Sequence, residues 1–288
     1  MHLLTYLFTY PLIKFISILP FGIVYKVSDI LSFLLHKVFK YRLKTVKKNL
    51  NLAFPNKSNS EIESIEKKFY NHFADISIES IKAYGMSEAQ MKNRYRYDNI
   101  EELEKIQEKN KNIILICGHY SNFEWLLSVG YSAKGNGYGI YTPMSNKYFD
   151  RLFKKIRKKH KAFLVSRYHI NDFMNNLDVN KYHVFGFAAD QSPRKVGKYY
   201  INNFLGHKVP IFTGAERFSN DYALSVVFAD ITRTKRGHYK TKFIEIIDKK
   251  DTTYSITDQF LSLLEDQIYR DPSQYFWTHN RFKHLRTN

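Results

Sequence analysis

The 288-residue sequence contains a single cysteine, Cys117, so no internal disulfide is possible. No Cys/His spacing of the zinc-finger kind occurs, which excludes a cysteine-stapled secreted fold and a structural zinc site. Acidic residues are scarce, with 27 Asp and Glu against 45 Lys and Arg, a formal net charge of +18. Such a field favours phosphorylated, acidic or anionic-membrane partners without choosing among them. No Gly-x-Ser-x-Gly elbow, internal repeat or low-complexity linker is present. Nor does any run of about 20 uncharged residues occur near the start, so a simple spanning helix is not expected there.

Apolar and aromatic residues are nonetheless dense over 1–38, interrupted by Lys14, Lys26 and Asp29, with Pro11 and Pro20 inside the stretch. It lacks the basic opening and small-residue cleavage site of a removed signal peptide. The pattern predicts a retained anchor in the bilayer interface; a hydrophobic hairpin packed on the domain is the alternative. A basic cluster follows, Lys37, Lys40, Arg42, Lys44, Lys47 and Lys48, of the kind that meets anionic headgroups on the cytoplasmic side. Aromatic residues reach 16% of the chain, which suits contact with lipid or an acyl chain and equally an AT-rich genome.

Ser58 and Glu61 resemble a capping box, and Ile62, Ile65, Phe69, Phe73 and Ile76 recur at helical spacing, predicting an amphipathic helix over 60–84 that ends at Gly85. From residue 111 short apolar runs alternate with helix-length segments: 113–117, 138–142, 162–165, 183–188 and 224–229. This predicts an α/β fold with a mixed, mostly parallel central sheet flanked by helices. An added edge strand over 238–247 and a helix over 252–269 complete it. The expected organisation is an anchor and basic segment over 1–55 and a catalytic domain over 56–288.

The informative chemistry follows the first apolar run, where Ile113-Ile-Leu-Ile-Cys117 leads into Gly118, His119 and, five residues later, Glu124. Two residues five apart on one helix lie about 140° around its axis, so the pair can meet only across a strand-to-helix turn. There Glu124 would hold one imidazole nitrogen and leave the other free as a general base, worth roughly 10² to 10⁴ in rate. The helix start near Ser121 and Asn122 is a source of oxyanion donors. Cys117, inside the apolar run, is not expected to act as a nucleophile.

The blocks around this pair carry more information than the pair itself. Tyr41-Arg-Leu-Lys-Thr-Val-Lys-Lys-Asn-Leu-Asn-Leu-Ala-Phe-Pro55, Gly118-His-Tyr-Ser-Asn-Phe-Glu-Trp125, Tyr141-Thr-Pro-Met-Ser-Asn-Lys-Tyr-Phe-Asp150, Ala189-Asp-Gln191 and Gln274-Tyr-Phe-Trp-Thr-His-Asn-Arg-Phe-Lys283 occur in that order. Over nearly the whole chain they resemble the lysophospholipid acyltransferase superfamily, and within it the lipid A late acyltransferases of the lauroyl and myristoyl type. The resemblance implies transfer of a fatty acyl chain from acyl carrier protein to a lipid A precursor at the cytoplasmic face of the inner membrane. It implies His119 as base with Glu124 as its partner, Arg157 on substrate phosphate, and Asp190 positioning Arg157 or bracing its loop. Asn122 and Asn146 join the candidates as substrate contacts or loop-shaping residues.

The thioester of the carrier protein is then a co-substrate, and no cofactor or metal is expected. Carrier protein, lipid acceptor and anionic membrane are the expected partners. The segment Phe204-Leu-Gly206 with Pro210, Thr213 and Gly214 resembles a further family block, read as a loop leading into a helix. Ser121 and Phe123 stand where the family usually has Gly and Trp, which places the local loop packing in question. A lysophospholipid, aminolipid or glycolipid is the alternative acceptor, although the glycerophosphate branch reads Asn-His-x4-Asp rather than Gly-His-x4-Glu. A basic nucleic-acid-binding protein is the alternative of another class, but no recognition motif supports it, and no nucleic acid is expected.

Overall fold

A computed structural model describes residues 2–178, 180–193 and 199–285. Helices α1 (His2–Ile18) and α2 (Phe21–Phe33), with a π-helical turn Leu34–Val38, lead into α3 (Leu43–Ala53), α4 (Asn59–Lys82) and α5 (Glu88–Arg94). There follow β1 (Tyr95–Tyr97), α6 (Ile100–Lys109), β2 (Asn112–Cys117), a 3₁₀ segment Trp125–Tyr131, β3 (Asn136–Tyr141), α7 (Lys147–Lys159) and β4 (Ala162–Ser166). The chain continues through α8 (Ile170–Asn175), β5 (His183–Ala188), β6 (Tyr200–Phe204), β7 (His207–Ile211), α9 (Gly214–Tyr222), β8 (Ser225–Lys235), β9 (His238–Ile246) and α10 (Ser255–Arg270).

Seven strands form one sheet in the order β1-β9-β8-β2-β5-β3-β4, parallel throughout except where β9 runs against β8. The expected α/β class therefore holds, with one correction: β9 is not an edge strand. The three-residue β1 caps it, a strand too short to show any alternation in the sequence. Phe204–Gly206 and Pro210, expected in a loop leading into a helix, belong instead to an antiparallel hairpin over 200–211 that turns through Leu205 and Gly206 at positive φ, and the expected helix follows as α9.

Burial follows the strand period. On β2, Ile113, Leu115 and Cys117 face one core with Trp125, Leu126, Val129, α5, α6 and α7, while Ile114 and Ile116 face another with α9 and α10. Every residue of β2 is buried, as a central parallel strand requires. The predicted capping box opens α4: Ser58 accepts from the Glu61 amide, and Glu61 accepts from the Ser58 amide at 2.8 Å. This terminus contributes about 1 kcal/mol.

The N-terminal pair is inside out. Its polar residues face α4: the Ser28 hydroxyl donates to Asp75 at 2.7 Å, Ser32 to Asn71 at 2.6 Å and Tyr25 to Glu79 at 2.8 Å. Lys82 donates to the Ser17 carbonyl at 2.6 Å, and Arg236 bridges Asp29 and Asp75. A small apolar cluster, Ile16, Val24 and Ile78, lies within this seam. Leu4, Leu7, Phe8, Leu12 and Phe15 of α1 and Ile30 and Phe33 of α2 are exposed, Phe8 by 81%. No helix among the described residues is long and apolar enough to cross a membrane.

Candidate active site

The C-terminal ends of β2 and β5, neighbours in the sheet, bring together residues 71 positions apart. After β2 the chain passes Gly118, where a Cβ would lie 2.5 Å from Leu264 Cδ1 of α10, so any larger residue there would have to displace that buried side chain. Next comes His119. Its Nδ1 lies 2.6 Å from Asp190 Oδ1, and its backbone amide donates to the same oxygen at 3.0 Å. Asp190 is buried.

Burial disfavours charge on His119, but the facing Asp190 carboxylate and its hydrogen bond outweigh this, and Glu124 adds to them, so the imidazole pKa is raised above its ordinary value. Burial likewise works against the Asp190 charge, yet His119 and the backbone donors hold its carboxyl below the usual range. With Nδ1–H directed at Asp190, Nε2 is left as an acceptor; the Gln191 amide nitrogen lies 3.2 Å from it.

The expected His119–Glu124 pair is thus corrected. Glu124 Oε2 is 2.5 Å from Arg157 Nη2, and the partner of the histidine is Asp190. The physical reason is the backbone between them. The segment after Glu124 is 3₁₀ rather than the expected α-helix, and the guanidinium reaching in from α7 takes the carboxylate. Glu124 stays close enough for its charge to favour protonation of His119. Of the candidates, His119, Glu124, Arg157 and Asp190 gather at one place, and Gln191 and Arg167 line the same cavity. Gln191 was visible in its sequence block, whereas nothing in the sequence singles out Arg167.

The two asparagines do not reach that cavity. Asn122 is fully buried: its Oδ1 accepts from the Trp125 amide at 2.9 Å, and its Nδ2 donates to Glu79 Oε2 at 2.7 Å. Asn146 accepts from the Tyr148 amide at 3.0 Å as the N-cap of α7 and donates to the His2 carbonyl at 3.3 Å. Both shape their loops. Burial pushes the Glu79 carboxyl up to about 7, against the pull of the Tyr239 and Tyr25 hydroxyls. Cys117 is buried, and burial raises its thiol far above the range in which a thiolate forms, as expected of a non-nucleophile.

The C-terminal segment backs the loop that carries His119. Phe276 N donates to the His119 carbonyl at 3.1 Å, Ser121 N donates to the Gln274 carbonyl at 2.9 Å, and Tyr120 and Tyr275 form a β-bridge. Phe123 and Phe276 pack on the imidazole with centroids 4.8 and 6.0 Å away. Ser121 sits at φ 50° with its buried hydroxyl unpartnered. Its backbone is therefore one that favours glycine, and the substituted residue carries both αL strain and a desolvated hydroxyl. Ser121→Gly is expected to raise unfolding stability by about 1 kcal/mol, read from chemical denaturation midpoints at unchanged slope.

From His119 a cavity of about 330 Å³ runs down the sheet face under the 3₁₀ segment. Gly139 and Gly186, opposite one another in the β3–β5 register, form its floor, and Leu127 forms its roof. Leu115, Val129, Ala162, Leu164 and Val184 give it apolar wall, and Arg157, Arg167, Glu124 and His119 line it as well. The arrangement sets an imidazole with a free Nε2, two arginines and apolar side chains around one cavity.

Residues 2–284 match the family model described as bacterial lipid A biosynthesis acyltransferase. The lipid A biosynthesis palmitoleoyltransferase of Escherichia coli (strain K12) is 20% identical over 272 residues, covering 92% of this chain and 86% of that protein. The lauroyltransferase of the same organism is 22% identical over 271 residues, covering 92% and 87%. A lipid A biosynthesis acyltransferase of Haemophilus influenzae is 22% identical over 253 residues, covering 86% and 79%. With the model matched along almost its entire length, the chain belongs to the bacterial lipid A biosynthesis acyltransferase family.

Proposed function

We propose that the protein transfers a fatty acyl chain from the thioester of acyl carrier protein to a hydroxyl of a lipid A precursor, at the cytoplasmic face of the inner membrane. The observation that carries this reading is the His119–Asp190 pair standing beside an apolar cavity with two arginines on its wall. His119 Nε2 takes the proton of the acceptor hydroxyl as its oxygen attacks the thioester carbonyl. Asp190 stabilises the imidazolium that forms. The tetrahedral intermediate collapses with cleavage of the C–S bond, and the thiolate takes the proton back from His119. No acyl-enzyme is required. Arg157, braced by Glu124, supplies positive charge for a phosphate on either substrate.

The positive net charge favours an acidic carrier and a phosphorylated glycolipid, and the outward apolar surface of α1 and α2 suits seating in the lipid interface without spanning it. Detergent-purified protein, incubated with acyl carrier protein thioesters and with lipid A precursor or lysophospholipid, tests the reading by mass spectrometry of the products. An added acyl ester on the lipid A precursor is the expected result. Acylation of lysophospholipid alone would favour the alternative acceptor, and no product with any acceptor would overturn both.

A further inference from the structure

The catalytic loop does not rest on the sheet alone. Glu79, on α4, is fully buried and takes three neutral donors from three different elements: Tyr25 of α2 at 2.8 Å, Tyr239 of β9 at 2.7 Å, and Asn122 of the loop at 2.7 Å. Its backbone carbonyl also accepts from the Trp125 indole at 3.2 Å. Asn122 passes the constraint on, since its Oδ1 holds the Trp125 amide. Both ends of the stretch Asn122–Trp125 are therefore fixed to one residue of α4. That stretch lies between His119 and the 3₁₀ roof of the cavity and includes Glu124, which braces Arg157.

We propose that Glu79 is a positioning residue for acyl transfer, and that through Tyr25 it makes the placement of the 119–125 loop depend on how α2 is seated against α4. The inference rests on the acyl-transfer reading for its kinetic consequence but not for the coupling itself. Tyr25 is the only one of the three donors that belongs to the inside-out N-terminal pair. It reaches Glu79 across a seam whose other polar contacts include Ser28–Asp75, Ser32–Asn71 and Lys82 on the Ser17 carbonyl. A shift of α2 on its apolar outer side would be felt at Oε1, and through the shared carboxylate at Asn122. A misplacement of about 1 Å at a reacting group costs on the order of 100-fold in rate.

The test uses the full chain in detergent, comparing Glu79→Gln, Tyr25→Phe and, as a reference, Tyr10→Phe on α1, whose native hydroxyl meets that of Tyr84 just after α4 and has no link to Glu79. Glu79→Gln retains one acceptor oxygen and so cannot serve both sides. It is expected to lower kcat about 10- to 100-fold with KM within twofold, and to displace the acidic limb of the pH–rate profile as the His119 environment changes. Tyr25→Phe is expected to lower kcat three- to tenfold. It should also speed amide hydrogen exchange over 119–125 at least threefold, while Tyr10→Phe leaves both as in the wild type. If Glu79→Gln fails to fold, the Tyr25→Phe exchange measurement decides. Unchanged exchange over 119–125 in Tyr25→Phe, or an effect on KM alone, would overturn the proposal. Faster exchange in Tyr25→Phe, with a wild type that acylates nothing, would leave the coupling standing and remove the acyl-transfer reading instead.

Discussion

Asp190→Asn should lower kcat by about 10³- to 10⁴-fold, close to the loss expected for His119→Ala. Asp190 Oδ1 accepts from both the imidazole Nδ1 and the His119 backbone amide. An asparagine that turned its amide toward Nδ1 would force the ring proton onto Nε2, the atom that must receive the proton of the acceptor. The pH profile separates this from simple misfolding. Burial lowers the His119 pKa, while Asp190 and Glu124 raise it, the outcome being a raised value. Because the base works only when neutral, kcat/KM of the wild type should rise with pH through that raised value. Removing the Asp190 charge leaves burial with less opposition, so the residual activity of Asp190→Asn should rise through a lower pH. Glu124→Gln should move the limb in the same direction by less, and raise KM through the loosened Arg157. An Asp190→Asn enzyme with wild-type kcat would refute the assignment of the dyad.

Gly186→Leu is expected to shift acyl-chain preference to shorter donors. A Cβ added at Gly186 would find Leu127 Cδ2 and the Tyr138 carbonyl no nearer than 3.8 Å, ordinary contact distances, so the larger side chain enters the cavity rather than displacing backbone. At Gly139 the Cβ would come within 3.1 Å of Leu164 and 3.4 Å of Leu127, and a substitution there should also cost stability. Between Ala188 and Gly186 the floor extends about 7 Å, and to Val184 about 13 Å, so the new side chain obstructs the middle of the slot. Each methylene denied burial loses about 0.8 kcal/mol, so the kcat/KM ratio between donors two carbons apart should change by more than tenfold. Competition between two carrier-protein thioesters, resolved by product mass, measures it. An unaltered chain-length distribution would mean that the hydrocarbon lies elsewhere.

Much of the fold was legible because a parallel sheet buried on both faces leaves continuous apolar runs, and 113–117 and 183–188 are such runs. The Ser58–Glu61 cap was equally readable, since all its parts lie within one turn. The strand β1 is three residues long, and the 200–211 hairpin holds Asn202, Asn203 and Pro210, so neither carries a periodic signal. At the site, residue identities were accessible and pairings were not. His119 and Glu124 are near in sequence, but strand order decides that β5, not the following segment, stands beside β2 and delivers Asp190. The roles of Asn122 and Asn146 turn on partners 43 and 144 residues away, Glu79 and His2. The glycine floor needed the β3–β5 register before Gly139 and Gly186 could be recognised as neighbours.

The strap that backs the 119–125 loop is made from residues 274–276, after the last strand of the sheet. During synthesis the sheet, the dyad and the cavity walls therefore leave the ribosome before the backbone that holds the His119 carbonyl in place. A chain interrupted before that strap can hold His119 and Asp190 side by side and still lack the backing that orients the 119–125 loop.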